Sequence, residues 1–263
     1  MAPRGMLVRL RTLEARLLPH GVFDVMRQLV LFSAAYWCYR IVRGAVDGRA
    51  SDAFQHGREL ISLERTLHTF VEPAIQGWAS GKTWLIDAAS WLYVNSQFSI
   101  TLGALVFIYL FHNSAFYFVR NMFLVAMALA LVGYLAFPTA PPRFFPEWGF
   151  TDSVSNFTHV PQDSVTVNAL FNPFAAIPSM HVAFGLMLGW SLARLVRNRV
   201  ARALCFLWPF LVTFVVVATG NHFVMDAVAG ALVAMVAAYA AELLARTRPQ
   251  AWAFAQMRAE AAA

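Results

Sequence analysis

Lysine is almost missing from this chain: Lys82 is the only one, and every other basic side chain apart from histidine is arginine. Charge of either sign is scarce. Asp, Glu, Lys and Arg make up 13% of the 263 residues, where a soluble domain carries about 25%. That excludes an ordinary water-soluble globule. Cysteine is limited to Cys38 and Cys205, both inside apolar runs, which excludes a disulfide-stapled domain and leads us to expect two lone, buried thiols. No internal repeat is visible. No cleavable signal peptide is evident; the first apolar run follows a long basic segment and reads as a signal anchor. What is plentiful is hydrophobic surface, 59% of residues with a mean hydropathy of +0.57. The net charge of +6 fits arginine-bearing loops beside anionic lipid and does not call for nucleic acid. The expectation is an all-α polytopic membrane protein, one domain over 1–263.

Six spans are expected, at 23–42, 84–111, 119–137, 182–196, 203–219 and 223–244. A run of about 20 residues rises about 30 Å, one hydrocarbon thickness. Residues 1–22 form a basic segment in which Leu7, Leu10 and Leu13 recur at helical spacing, as in a surface helix. Residues 51–80 carry too many charges to span and read as an interfacial helix. Its Leu60, Leu63, Leu67, Phe70 and Val71 recur on one side, and Glu64, His68, Glu72 and Gln76 recur every four residues on the other. That polar row is open to three readings: a solvated face, a polar wall over an active site, or metal ligands from Glu64, His68 and Glu72. Residues 138–177 form a long and therefore functional loop, whose Phe144, Phe145, Trp148, Phe150 and Phe171 read as an aromatic cap resting in the interface. Arginines collect in 1–28, in the turns at 112–120 and 194–202, and in the tail 246–263. By the positive-inside rule both termini are cytoplasmic and the 138–177 loop is extracytoplasmic.

Two polar clusters interrupt the apolar runs. The first is Pro178-Ser179-Met180-His181. The second is Gly220-Asn221-His222-Phe223-Val224-Met225-Asp226. Between them lies a helical hairpin whose turn holds Arg194, Arg197, Arg199 and Arg202, so His181 and His222 meet at one membrane surface. His222 and Asp226, spaced i, i+4, share a helix face. A carboxylate there holds one ring nitrogen and presents the other as nucleophile or base. Ser179 opens a helix, where free N–H groups favour an anion. His181 is placed to give a proton to a leaving oxygen. Burying such groups at the ends of apolar helices demands a reason.

These clusters resemble the second and third motifs of the phosphatidic acid phosphatase type 2 superfamily, which shares its catalytic core with vanadium haloperoxidases. Phe137-Pro138-Thr139-Ala140-Pro141-Pro142-Arg143 looks like the first motif of its inositol phosphorylceramide synthase-like branch. The usual first-motif Lys is Ala136 here, and the usual Ser-Arg before the third-motif His falls at Val216 and Val215. The resemblance implies metal-independent phosphoryl transfer from a lipid-linked phosphate, with no cofactor. His222 is the nucleophile oriented by Asp226, His181 the acid and base, and Arg143 and Ser179 hold the phosphate. Glu64, Arg65, His68, Asn95, Gln97 and Asn221 are candidate contacts for the head group or acceptor. The first expectation is a lipid phosphatase of the bacterial plasma membrane, its site at the extracytoplasmic face, with membrane lipids as its surroundings. The alternatives are a phosphotransferase to a lipid or glycan hydroxyl and, from another class, a transporter lined by the same residues.

Overall fold

A computed structural model describes residues 20–161 and 173–252, together with Leu18. Its described residues form helices and no strand; one isolated parallel bridge joins Thr139 to Ala175. In chain order the helices are α1 (Gly21–Val46), α2 (Ala50–Thr66), α3 (Glu72–Ser80), α4 (Thr83–Asn95), α5 (Thr101–Phe111), α6 (Asn113–Ala136), α7 (Ser153–Thr158), α8 (Met180–Leu195), α9 (Arg199–Ala218), α10 (Val224–Thr247) and α11 (Pro249–Trp252). Four stretches are long and apolar enough to cross a membrane: Thr83–Phe111, Asn113–Ala136, Arg199–Ala218 and Val224–Thr247. Met180–Leu195 is a shorter apolar helix of 16 residues. Their outward side chains include Trp84, Leu102, Phe111, Val132, Phe210 and Tyr239, all exposed, as a lipid-facing surface requires.

The core lies where α6, α8 and α10 meet. Phe123, Ala126 and Ala130 pack against Ala183, Met187 and Leu188, and against Ala234, Ala237 and Ala241. Small residues let α10 come close. At Gly230 the approach is closest: a Cβ there would lie 2.3 Å from the Ser179 carbonyl oxygen. The α8–α9 turn is tight because Asn198 Oδ1 accepts from Val200 N and Ala201 N at 2.8 and 3.0 Å, which caps the first turn of α9.

Several expectations change. The 51–80 segment is two helices, because His68 takes a left-handed φ of +57°. His68 N donates to Arg65 O and Thr69 N to Glu64 O, the pair of bonds that closes a Schellman turn. The expected turn at 112–120 is mostly helix: α6 starts at Asn113, and Arg120 is fully buried within it. Arg120 donates to Gln28 Oε1, to Asn121 Oδ1 and to the Trp252 carbonyl. Beside it Asp24 accepts from Gln28 and from the Tyr109 and Tyr117 hydroxyls at 2.8–2.9 Å. This network ties α1, α5, α6 and the chain after α10 together at the end opposite His222. The loop aromatics Phe145 and Phe150 do not rest in the interface. They are buried in a second core with Phe223, Leu60 and Ile61, because so long a loop needs apolar packing of its own against α2. Both described cysteines are free, but Cys38 is exposed, since its apolar run faces outward. Residues 1–17, 162–172 and 253–263, with Leu7, Leu10, Leu13 and Phe171, lie outside the described residues.

Candidate active site

Local folding delivers each polar side chain. After α9 the chain takes a second Schellman turn: Gly220 N donates to Val217 O at 2.9 Å and Asn221 N to Val216 O at 3.1 Å. Gly220 has φ +70°, and a Cβ there would sit 2.6 Å from Gln76 Nε2, so both conformation and space call for glycine. The turn leaves His222 buried, its backbone N–H on Val216 O at 3.1 Å. Asp226, in the first turn of α10, accepts from His222 Nδ1 at 3.2 Å and from Phe223 N at 2.9 Å. Nε2 of His222 is therefore the nitrogen left to act.

The opposite side of the site comes from the α8 start and the loop before it. Ser179 is buried; its N–H donates to Asp226 O at 3.0 Å, and its Oγ faces Val182 N at 3.5 Å. Two residues on, the His181 ring lies 5.7 Å from the His222 ring, centroid to centroid. His181 stacks on Tyr93 at 4.4 Å and hydrogen-bonds the Tyr93 backbone carbonyl. Tyr93 stands three residues before the π turn Ser96–Ile100, a kind of distortion frequent at functional sites. Arg143 is tied in twice: its backbone N–H donates to Gly220 O at 2.8 Å, and Nη1 donates to Asn221 Oδ1 at 2.6 Å. Its guanidinium lies 4.9 Å from the centre of the Phe144 ring. Asn221 Nδ2 in turn donates to Thr219 Oγ1 at 3.0 Å.

The other candidates scatter. Arg65 and His68 are exposed, with the Arg65 guanidinium 5.0 Å over the Trp148 ring. Asn95 donates to Trp91 O in its own helix, and Gln97 is half-buried in the π turn. Glu64, Glu72 and Gln76 are buried, so the polar row is not a solvated face. Gln76 exchanges two hydrogen bonds with the Thr151 backbone at 2.9 and 3.1 Å, and so fastens α3 to the loop. Glu64 Oε1 accepts from Met225 N at 2.8 Å, and Glu72 Oε1 from Val224 N at 2.7 Å. Burial, and then the neighbouring Glu72 carboxyl, push the Glu64 carboxyl up to about 9. Among the described residues no group of three His, Cys, Asp or Glu side chains is arranged to hold a metal ion, so Glu64, His68 and Glu72 do not form one. The sequence held no signal for Tyr93, which acts through its carbonyl and ring.

Two imidazoles, a carboxylate and an arginine are thus gathered at one end of an apolar helical bundle, the make-up of a membrane protein with one buried polar site. A family model agrees: the PAP2 superfamily matches over residues 58–240, and the chain belongs to that superfamily. The matched stretch contains Glu64, Arg143, Ser179, His181, Asn221, His222 and Asp226. Phosphatase-type chemistry is what that membership implies. No curated protein matches the chain, and neither does any solved structure.

Proposed function

We propose that this protein is an integral-membrane lipid phosphatase working through a phosphohistidine. The observation that carries the reading is the His181–His222 pair, 5.7 Å apart, with Asp226 on the far nitrogen of His222. His222 Nε2 attacks phosphorus, and the P–O bond to the lipid breaks as His181 gives its proton to the departing alkoxide. His181, now neutral, takes a proton from water. The hydroxide attacks phosphorus, the P–N bond breaks, and phosphate leaves with His222 restored. Arg143 and the Ser179 region oppose charge building on the equatorial oxygens. Asp226 holds the imidazole tautomer and stabilises its positive charge.

The same reading gives six spans, α1, the α4–α5 rod, α6, α8, α9 and α10, in a bacterial plasma membrane. Both termini are inside, and α2, α3 and the 138–177 loop lie on the outer surface over the site. The test is product analysis with a lipid carrying labelled phosphate. Free phosphate is expected, and none from His222→Ala in folded protein. Most activity surviving in that variant sinks the nucleophile. A new phosphodiester formed with an added lipid or glycan alcohol moves the assignment to a phosphotransferase on the same residues.

A further inference from the structure

Glu64 and Glu72 come from different helices, yet both end at the first turn of α10. Each side chain is fully buried. Each gives one oxygen to a backbone N–H of that turn, Met225 and Val224 respectively. The second oxygen of each is buried and reached by no N–H or O–H donor. The two carboxyl groups nonetheless sit side by side in the apolar core, on the adjacent N–H groups of Val224 and Met225. Two carboxyl groups can do that only with a proton between them, as in acid dyads whose like charges cannot both ionise.

We propose that Glu64 and Glu72 share one proton and, as a single acid pair, seat the start of α10 and so position His222 and Asp226. The pair touches no reacting atom; it is a positioning device, and the proposal rests on the phosphatase reading for its activity arm. Helix N-terminal N–H groups attract carboxylates, and Asp226 already occupies the neighbouring N–H of Phe223. Three full negative charges on one helix end, inside an apolar core, would repel. One shared proton removes one of them. The charged and titratable groups facing Glu64 are Glu72 from α3 and Asp226 from α10. Beyond Asp226 stand His222, His181 and Arg143, whereas Arg65 and His68 are exposed. Folded Glu64 keeps its proton to about pH 9, whereas an unfolded glutamic acid loses it near the ordinary value of 4.5. With the folded value the higher one, the stabilisation is complete below the unfolded value and declines as pH rises, until the folded pair titrates.

Glu64→Gln keeps an acceptor for Met225 N–H and donates an amide proton to Glu72, but cannot titrate. Glu64→Leu removes both bonds. In detergent, wild-type Tm should fall steadily from pH 5 to about 9 and then level, and Glu64→Gln should flatten that slope. Running the same comparison in a His222→Ala background makes it independent of turnover. For activity, Glu64→Leu should lose about tenfold or more in kcat with little change in KM, and Glu64→Gln should recover most of it, since misplacing a catalytic group is costly in rate. The wild-type kcat should also decline above about pH 9, where the pair loses its proton, and Glu64→Gln should lack that decline. An unchanged Tm slope in Glu64→Gln overturns the shared proton, even if Glu64→Leu does not fold. A Glu64→Leu enzyme as active as wild type, or a persistent alkaline decline in Glu64→Gln, overturns the positioning role. A flattened Tm slope in a protein that releases no phosphate establishes the pair and sinks the phosphatase reading instead.

Discussion

Replacing Gly230 with alanine adds one methyl group at the tightest helix crossing behind the site. The new Cβ would lie 2.3 Å from the Ser179 carbonyl oxygen and 3.4 Å from Val182 Cβ, where ordinary contact begins at 3.4 Å. The obstacle is backbone, so no side chain can turn away. The start of α8 and the first turns of α10 must separate by about 1 Å, an overpacking strain of about 1–3 kcal/mol. That shift stretches the 3.0 Å bond from Ser179 N to Asp226 O beyond hydrogen-bond range, which costs about 0.5–1.5 kcal/mol more. Alanine's better helix propensity returns only about 1 kcal/mol. A net loss of about 1–3 kcal/mol follows. The effect on turnover should be larger, because His181 and His222 ride on the two elements being separated. A misplacement of about 1 Å lowers rates by about 10²-fold. The assay pairs phosphate release with a melting curve in detergent. Gly103→Ala is the control: it lies within α5 with nothing within 4 Å of a Cβ, so it gains propensity without obstruction. A Gly230→Ala protein that matches Gly103→Ala in both Tm and turnover refutes the reasoning.

Arg143→Lys keeps the charge but loses the fork that reaches Asn221 at 2.6 Å, so turnover should fall about tenfold or more, a charged hydrogen bond being worth about 1.5–3 kcal/mol. Near-normal turnover at unchanged protein level would mean that another cation holds the phosphate. Asp24→Ala leaves the Tyr109 and Tyr117 hydroxyls and the Gln28 amide without their acceptor, and should lower stability by about 3 kcal/mol or more. Melting in detergent checks it, and an unaltered Tm would show that the network is replaceable.

Apolar runs near twenty residues, broken by polar clusters at fixed places, were enough to read a helical membrane protein and to single out Ser179, His181, His222 and Asp226, while Arg143 came only from the resemblance to a family motif. That is legible because a membrane leaves the backbone few choices and makes each buried polar side chain conspicuous. His222 and Asp226 do meet, but not across a helical turn as their spacing suggested: His222 stands before the extended N-cap Phe223, and Asp226 reaches back to it from the first turn of α10. The rest depended on partners far away in the chain. Glu64, Glu72 and Gln76 recur as a solvated face would, and only the N–H groups of Met225 and Val224, 161 and 152 positions on, turn the first two into a buried pair. Arg120 reads as a loop arginine until Gln28 and the Trp252 carbonyl surround it. Phe145 and Phe150 read as a membrane-resting cap until α2 packs on them. Cys38 reads as buried, although its side of α1 faces outward. Periodicity marks which residues share a face; whether that face meets water, lipid or another helix is a property of the assembled bundle alone.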